Sequence, residues 1–302
     1  MKQIVTHKSP DLDAIGSTWL LLRFLRGWED AKIELVSAGE KLPGNYENEG
    51  AVIEIVDGVE TIHVDTGLGK LDHHQTQDAN TCGASLTLEH ILSDNSAPLH
   101  GRDTEREAVK RIVEMIVDDD HFQEYYYPEP SHDRYDFSLR GILQGYKMMY
   151  QQDDEKVIDL ILQDFDALLH SFKIKIWAEN EIKEKGIDFE TKWGKGLGVE
   201  TLNDGVLKLA QLQGYTIVVR KDPNQGFVRI KARPAKRNSG EKEVIDLTPV
   251  YEAITEQDPE SSWFLHVSKK MLLNGSSKNP DMRGSDLSLR EVIDTITATC
   301  GQ

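Results

Sequence analysis

Residues 61–75 read Thr-Ile-His-Val-Asp-Thr-Gly-Leu-Gly-Lys-Leu-Asp-His-His-Gln, and this stretch restricts the fold more than any other. Thr61 to Val64 reads as the end of a strand. Gly67 and Gly69 then let the chain turn sharply. Asp65, Asp72, His73 and His74 therefore gather where a strand gives way to a loop. In open α/β sheets, ligands bind just there, beyond the carboxyl ends of the strands. An aspartate and two adjacent imidazoles are seldom buried without partners. The rest of the chain has to bring matching groups to the same edge.

Taken in order, the sequence predicts a parallel-sheet α/β domain first. Lys2 to Thr6 is a short strand, His7 to Gly16 a polar turn, and Ser17 to Trp28 a helix with Leu20, Leu21, Phe24 and Leu25 on one face. Ile33–Ser37, Val52–Val56 and Thr61–Val64 are further strands. Helices follow at Ser85–Leu92 and Thr104–Val117, the second with Thr104 as expected N-cap and Glu107 three residues on. Ser138–Tyr150 and Glu155 to about Lys185 read as helices joining two lobes. Later, Tyr215–Arg220 and Phe227–Ala232 read as strands around a turn at Asp222-Pro223-Asn224-Gln225-Gly226. Val244–Thr255, Trp263–Val267 and Leu287–Thr297 add a helix, a strand and a helix. The expected domains are residues 1–135 (metal-binding, catalytic), 136–190 (a helical connector) and 191–302 (a smaller α+β substrate-binding domain).

His7-Lys8-Ser9-Pro10-Asp11-Leu12-Asp13 follows the first strand directly. Pro10 keeps the chain extended, so Asp11 and Asp13 can project to one side, although an aspartate before a helix is also an ordinary N-cap. With Asp65, Asp72, His73 and Asp118, three loops each supply carboxylate or imidazole. Mixed oxygen and nitrogen ligands suit Mn2+ or Mg2+. A carboxylate bridging two such ions would set them about 3.5–4 Å apart, the arrangement that activates water for attack on phosphorus.

These motifs resemble the DHH phosphoesterase superfamily, which takes its name from an Asp-His-His motif. His7 to Ser17 is similar to its first motif, Asp65 to its second, Asp72-His73-His74 to its third, and Asp118 is placed as its fourth. Asp119 and Asp120 adjoin Asp118, so the fourth position stays open among the three. The short spacing from Asp65 to Asp72 resembles the melanocyte-proliferating-gene exonuclease branch; RecJ-like exonucleases and family II pyrophosphatases separate these motifs more widely. The resemblance implies two ions per site. His7, Asp11 and Asp65 would hold one, and Asp13, Asp65, His73 and the fourth aspartate the other. His74 would face the substrate phosphate, and Asp72 would orient a histidine. A Gly-Gly-Gly-His loop present in many relatives is missing; Leu272 to Ser285 stands in that region.

That segment carries Lys278 and Arg283, with His266 just before it, a candidate phosphate or carboxylate clamp or simply a solvated loop. Arg229, Lys231 and Arg233 alternate along one strand face, with Arg220, Lys221, Lys236 and Arg237 nearby. The stripe fits a short single strand, or equally a solvated sheet face. A net charge of −17 argues against duplex DNA, whose affinity comes from phosphate neutralisation. No apolar run approaches a membrane span. The N-terminus lacks a signal-peptide core, and the two cysteines, Cys82 and Cys300, build no disulfide framework, so a cytoplasmic setting is expected. The expected function is a metal-dependent phosphoesterase, nuclease-like, acting on a phosphate-containing small molecule or short single-stranded nucleic acid; a homodimer is compatible with it. An inorganic pyrophosphatase or polyphosphatase is the alternative, and a non-catalytic metal- and nucleotide-binding protein the third.

Overall fold

The structure is a computed structural model that describes residues 1–94, 98–235, 245–276 and 279–301. Lys236, Arg237, Lys278 and the expected helix start at Val244 lie outside those residues. The chain is mixed α/β, with two sheets and, among the described residues, eight α-helices. It divides into two compact units, Met1–Lys173 and Ile174–Gln302. No helix among the described residues is long and apolar enough to cross a membrane.

In the first unit, β1 (Lys2–His7), β2 (Lys32–Val36), β3 (Tyr46–Glu47), β4 (Glu54–Val56) and β5 (Val59–His63) form one sheet in the order β2-β1-β5-β4-β3. β1 runs parallel to both β2 and β5. The expected all-parallel sheet is corrected beyond that point, because β4 is antiparallel to β5 and β3 to β4. The cause is Asp57-Gly58, at φ 48° and 80°, a two-residue turn that closes β4 and β5 into a hairpin. The central strands bury Ile4, Val5, Ile62 and Val64, as strands covered on both faces do.

Five helices pack with this sheet or follow it: α1 (Leu12–Phe24), α2 (Gly83–Ser93), α3 (Asp103–Asp120), α4 (Leu139–Met149) and α5 (Asp154–Lys185), the last running past the division between the units. α1 starts at Leu12 rather than Ser17, since Asp11 already caps it, accepting from the Ala14 amide at 3.0 Å. Asp13 therefore sits in the first turn of a helix, not in a loop. α3 is capped at Arg102, which leaves Thr104 inside the first turn, and it runs on through Asp120. Trp19 of α1 stacks on Phe165 of α5 at 5.3 Å between ring centroids. Gly16 lets α1 approach α3 closely; a Cβ there would stand 2.6 Å from Ile116 Cδ1.

The second unit is a six-stranded sheet of β6 (Ile187–Thr191), β7 (Gly194–Glu200), β8 (Ile217–Lys221), β9 (Val228–Ala232), β10 (Phe264–Leu265) and β11 (Met271–Leu273), ordered β10-β11-β9-β8-β7-β6. β7 and β8 are parallel, and α6 (Gly205–Leu212) makes the crossover. Val218 and Leu197 pack with Val206 and Leu207 of α6 on one face. On the other, Ile217, Val219 and Ile230 pack with Val250 of α7 (Thr248–Gln257) and Val292 of α8 (Leu289–Cys300). A Ser288–Glu291 capping box starts α8.

Candidate metal centre

The centre lies in the first unit, at the carboxyl ends of β1 and β5. β1 ends in His7, and α1 follows with Asp11 and Asp13. β5 leads to Asp65, held in left-handed backbone at φ 50°, a conformation aspartate tolerates better than most residues. Its amide donates to the Leu71 carbonyl at 3.0 Å, tying the strand end to the Asp-His-His loop.

Asp65 is 2% exposed, and its two oxygens point to different groups. Oδ2 is 3.2 Å from His7 Nε2, which is itself 4.0 Å from Asp11 Oδ1. Oδ1 is 3.6 Å from His73 Nε2 and 3.6 Å from His74 Nδ1. His73 Nε2 also lies 3.5 Å from Asp120 Oδ2 and 3.7 Å from Asp13 Oδ2. Asp65 thus joins two groups of candidate ligands.

Three atoms at the heart of the second group, Asp65 Oδ1, His73 Nε2 and Asp120 Oδ2, are buried without a hydrogen-bond partner among the described residues. Leaving such atoms unpaired costs roughly 1–3 kcal/mol each, more when charged. A hard divalent cation satisfies this oxygen and nitrogen set, so the residues fit Mn2+ or Mg2+. The two sets His7–Asp11–Asp65 and His73–Asp120–His121 are each compact enough to hold an ion, as is Asp65–His73–His74.

The electrostatics agree. Burial pushes the Asp65 carboxyl up to about 7, against the lowering effect of the His7 hydrogen bond. Burial likewise raises Asp13 to about 6, opposed by hydrogen bonds from Cys82 and Ala84. Asp120 is raised mainly by burial. Burial alone would lower His7, but the Asp65 hydrogen bond, the Lys8 carbonyl and nearby aspartates carry it up to about 9. Carboxylates crowded out of water hold protons tightly, and a bound cation inverts that logic.

Asp13 also has a structural task. Its oxygens accept from the Gly83 and Ala84 amides, each at 2.6 Å, so it anchors the N-terminus of α2. Gly83 makes this approach possible; a Cβ would stand 2.9 Å from Asp13 Oδ2 and 3.2 Å from Asp65 Cβ. Asp72 is buried and accepts from the Leu68 and His74 amides and from His74 Nδ1, the last at 2.8 Å. The histidine it orients is therefore His74, whose side chain is 58% exposed.

Of the three adjacent aspartates open for the fourth position, one lies near the other candidate ligands. The structure puts Asp120, not Asp118, beside His73. Asp118 lines an adjoining cavity of about 460 Å³ with Met115, Tyr127 and Tyr135. Ile112, Ile116 and Asp120 recur every four residues along the buried face of α3, a signal present in the sequence. His121 was missed altogether. It caps α3, stands 3.6 Å from Asp120 Oδ2, and its Nε2 is 2.9 Å from the Thr81 carbonyl oxygen. Arg140 was also missed: it faces Asp119 at 3.4 Å, pairs with Glu124, and shares a cavity of about 110 Å³ with Asp11, Asp13 and Asp120.

In the second unit, the remaining candidates make separate local contacts. His266 follows β10, with Nδ1 2.8 Å from Ser268 Oγ. Arg283 is exposed and pairs with Glu260 at 2.9 Å.

Compared with known proteins, the sequence matches no family model and no curated protein. Among solved structures it is similar to a pGpG-specific phosphodiesterase from Vibrio cholerae, at 16% identity and TM-score 0.28 over 99% of both chains. An uncharacterized protein from Helicobacter pylori G27 is 10% identical, at TM-score 0.24, again over 99% of each chain. A Methanococcus jannaschii protein provisionally assigned to the family II inorganic pyrophosphatases is 14% identical, at TM-score 0.21, over 98% of this chain and 99% of its own.

Proposed function

We propose that the chain is a metal-dependent phosphoesterase of the DHH type, hydrolysing a phosphodiester bond in a short oligonucleotide or nucleotide. The observation that carries this reading is Asp65, with one oxygen toward His7 and the other toward His73. His7 and Asp11 would hold one cation with Asp65; His73, Asp120 and Asp13 would hold the second. Two divalent cations bound there would acidify a shared water and neutralise charge developing on a phosphoryl oxygen.

The chain's own residues supply the rest. Asp72 fixes the His74 ring through Nδ1 at 2.8 Å. Burial lowers the His74 pKa, but Asp72 and the charges of Asp65 and Asp120 outweigh it and raise it above the ordinary value. A proton on the exposed side of that ring, at Nε2, is then a donor for a phosphoryl oxygen as charge grows on it. A phosphoanhydride would need several unpaired cations. The cavity beside Asp11, Asp13 and Asp120 offers Arg140, and that side chain already faces Asp119 and Glu124. This balance favours a diester, with one charge per phosphorus, over pyrophosphate.

With Mn2+ the protein is expected to cleave a dinucleotide phosphodiester faster than pyrophosphate. Asp65→Asn and His73→Ala should abolish turnover with the fold intact by circular dichroism. His74→Ala should lower kcat by about 10²–10³, the loss typical of one charge-stabilising donor. Undiminished metal-dependent turnover in both Asp65→Asn and His73→Ala would sink the reading. Tight nucleotide binding without hydrolysis at saturating Mn2+ would favour the non-catalytic alternative.

A further inference from the structure

β1 ends in His7, and Asp11 caps α1, so two candidate ligands of one cation are separated only by Lys8, Ser9 and Pro10. Ser9 sits in left-handed backbone at φ 50°, where a residue with a Cβ is uncommon. It also precedes Pro10, whose ring favours an extended residue before it. Such a conformation persists only when its surroundings over-determine it. At Ser9 those surroundings come from far along the chain.

The Ser9 amide donates to Asp154 Oδ2 at 2.8 Å, across 145 residues of sequence. The Ser9 carbonyl accepts from Lys147 Nζ at 3.0 Å, across 138 residues. Asp154 opens α5, and Lys147 lies in the last turn of α4. Each charge suits its helix end through the macrodipole alone. That preference does not explain why the two converge on the amide and the carbonyl of one strained residue.

A peptide unit is planar, so fixing its N–H also fixes its carbonyl. The unit joining Lys8 to Ser9 has its N–H on Asp154, and its carbonyl oxygen lies 2.9 Å from His7 Nδ1. A carbonyl only accepts, so Nδ1 holds a proton. Nε2 is the ring atom left for a cation, and it faces Asp65 Oδ2 at 3.2 Å. Histidines that hold metals usually donate their other N–H in this way, which fixes the ring. The next unit, joining Ser9 to Pro10, has its carbonyl on Lys147. Pro10, with its φ locked by the ring, passes that orientation on to Asp11.

We propose that Lys147 and Asp154 are positioning residues: by gripping Ser9 from both sides they set His7 and Asp11 for one cation. Asp154 acts on His7 through the Lys8–Ser9 peptide, and Lys147 acts on Asp11 through the Ser9–Pro10 peptide. The inference rests on the two-cation reading of the proposed function.

The test is calorimetric titration of Mn2+ into the full chain, as wild type and as His73→Ala, with unfolding midpoints measured alongside in chelator. The wild type should show two binding events. His73→Ala, in which only the His7–Asp11–Asp65 set is complete, should show one. Lys147→Met removes the donor and Asp154→Ala the acceptor. Each should weaken the single event in His73→Ala, and one of the two in the wild type, by about 10–100-fold, the range for groups that orient a metal ligand. Lys147→Arg and Asp154→Asn, which keep a donor and an acceptor, should bind Mn2+ as their parents do. Glycine adopts positive φ freely, so Lys147→Met should cost less affinity when Ser9→Gly accompanies it. A purely structural pair predicts lower midpoints in Lys147→Met and Asp154→Ala with Mn2+ affinity unchanged. That result would overturn the proposal and leave the metal centre standing. Absence of saturable Mn2+ binding in the wild type would overturn the metal centre itself, and this proposal with it.

Discussion

Asp120 shows how helix phase decides which side chain reaches a site. Asp118, Asp119 and Asp120 are chemically alike, but successive residues on a helix are about 100° apart, so Asp118 is turned away from the buried Ile112–Ile116 face that Asp120 continues. Asp120→Asn should shrink the rise in Tm that Mn2+ gives the wild type, leaving the part owed to the His7–Asp11–Asp65 ion, whereas Asp118→Asn should leave the whole rise intact; a ligand that binds only the folded state raises Tm by mass action. Loss of the Mn2+ effect in Asp118→Asn alone would reverse the assignment. The residue types of the site were legible in the sequence, since His7, Asp11, Asp13, Asp65, Asp72, His73 and His74 all stand together. What was not legible is how they divide their oxygens. Asp13 spends both of its own on amides of α2, a contact across 70 residues of sequence that no local pattern encodes.

At the scale of elements, close approach of backbones is what brings the site together. Gly16 is the point where α1 meets α3, the two helices that carry Asp13 and Asp120. Gly16→Ala puts a methyl group 2.6 Å from Ile116 Cδ1. Overpacking of this kind costs about 1–3 kcal/mol. Ile116→Val in the same chain should restore part of it, a coupling that denaturant unfolding of the double-mutant cycle would measure. Strictly additive effects would show that the contact does not govern the packing. The strongly periodic elements, α3 and α5 above all, were readable from sequence. The β4–β5 hairpin was misread as separate parallel strands although Asp57-Gly58 signals it. β6 and β7 were missed because Gly194, Gly196 and Gly198 give β7 poor strand propensity. Those glycines mark close contact instead: a Cβ at Gly196 would meet the Phe189 ring, and one at Gly198 would meet Ile293.

Across the whole molecule, the charge of −17 and the buried carboxylates of the first unit point the same way. A strongly acidic surface draws divalent cations and repels long polyanions, so small phosphate-bearing substrates fit it better than duplex nucleic acid. In the second unit Arg220 and Arg229 line one cavity, where the sequence had suggested only a basic stripe. The claim on which the functional account rests is that Asp65 serves two cations at once. Anomalous diffraction from crystals grown with Mn2+ addresses it directly. The account predicts two peaks, one contacted by His7, Asp11 and Asp65, the other by Asp13, Asp65, His73 and Asp120. A single peak, or two peaks with Asp65 bound to neither, would contradict it.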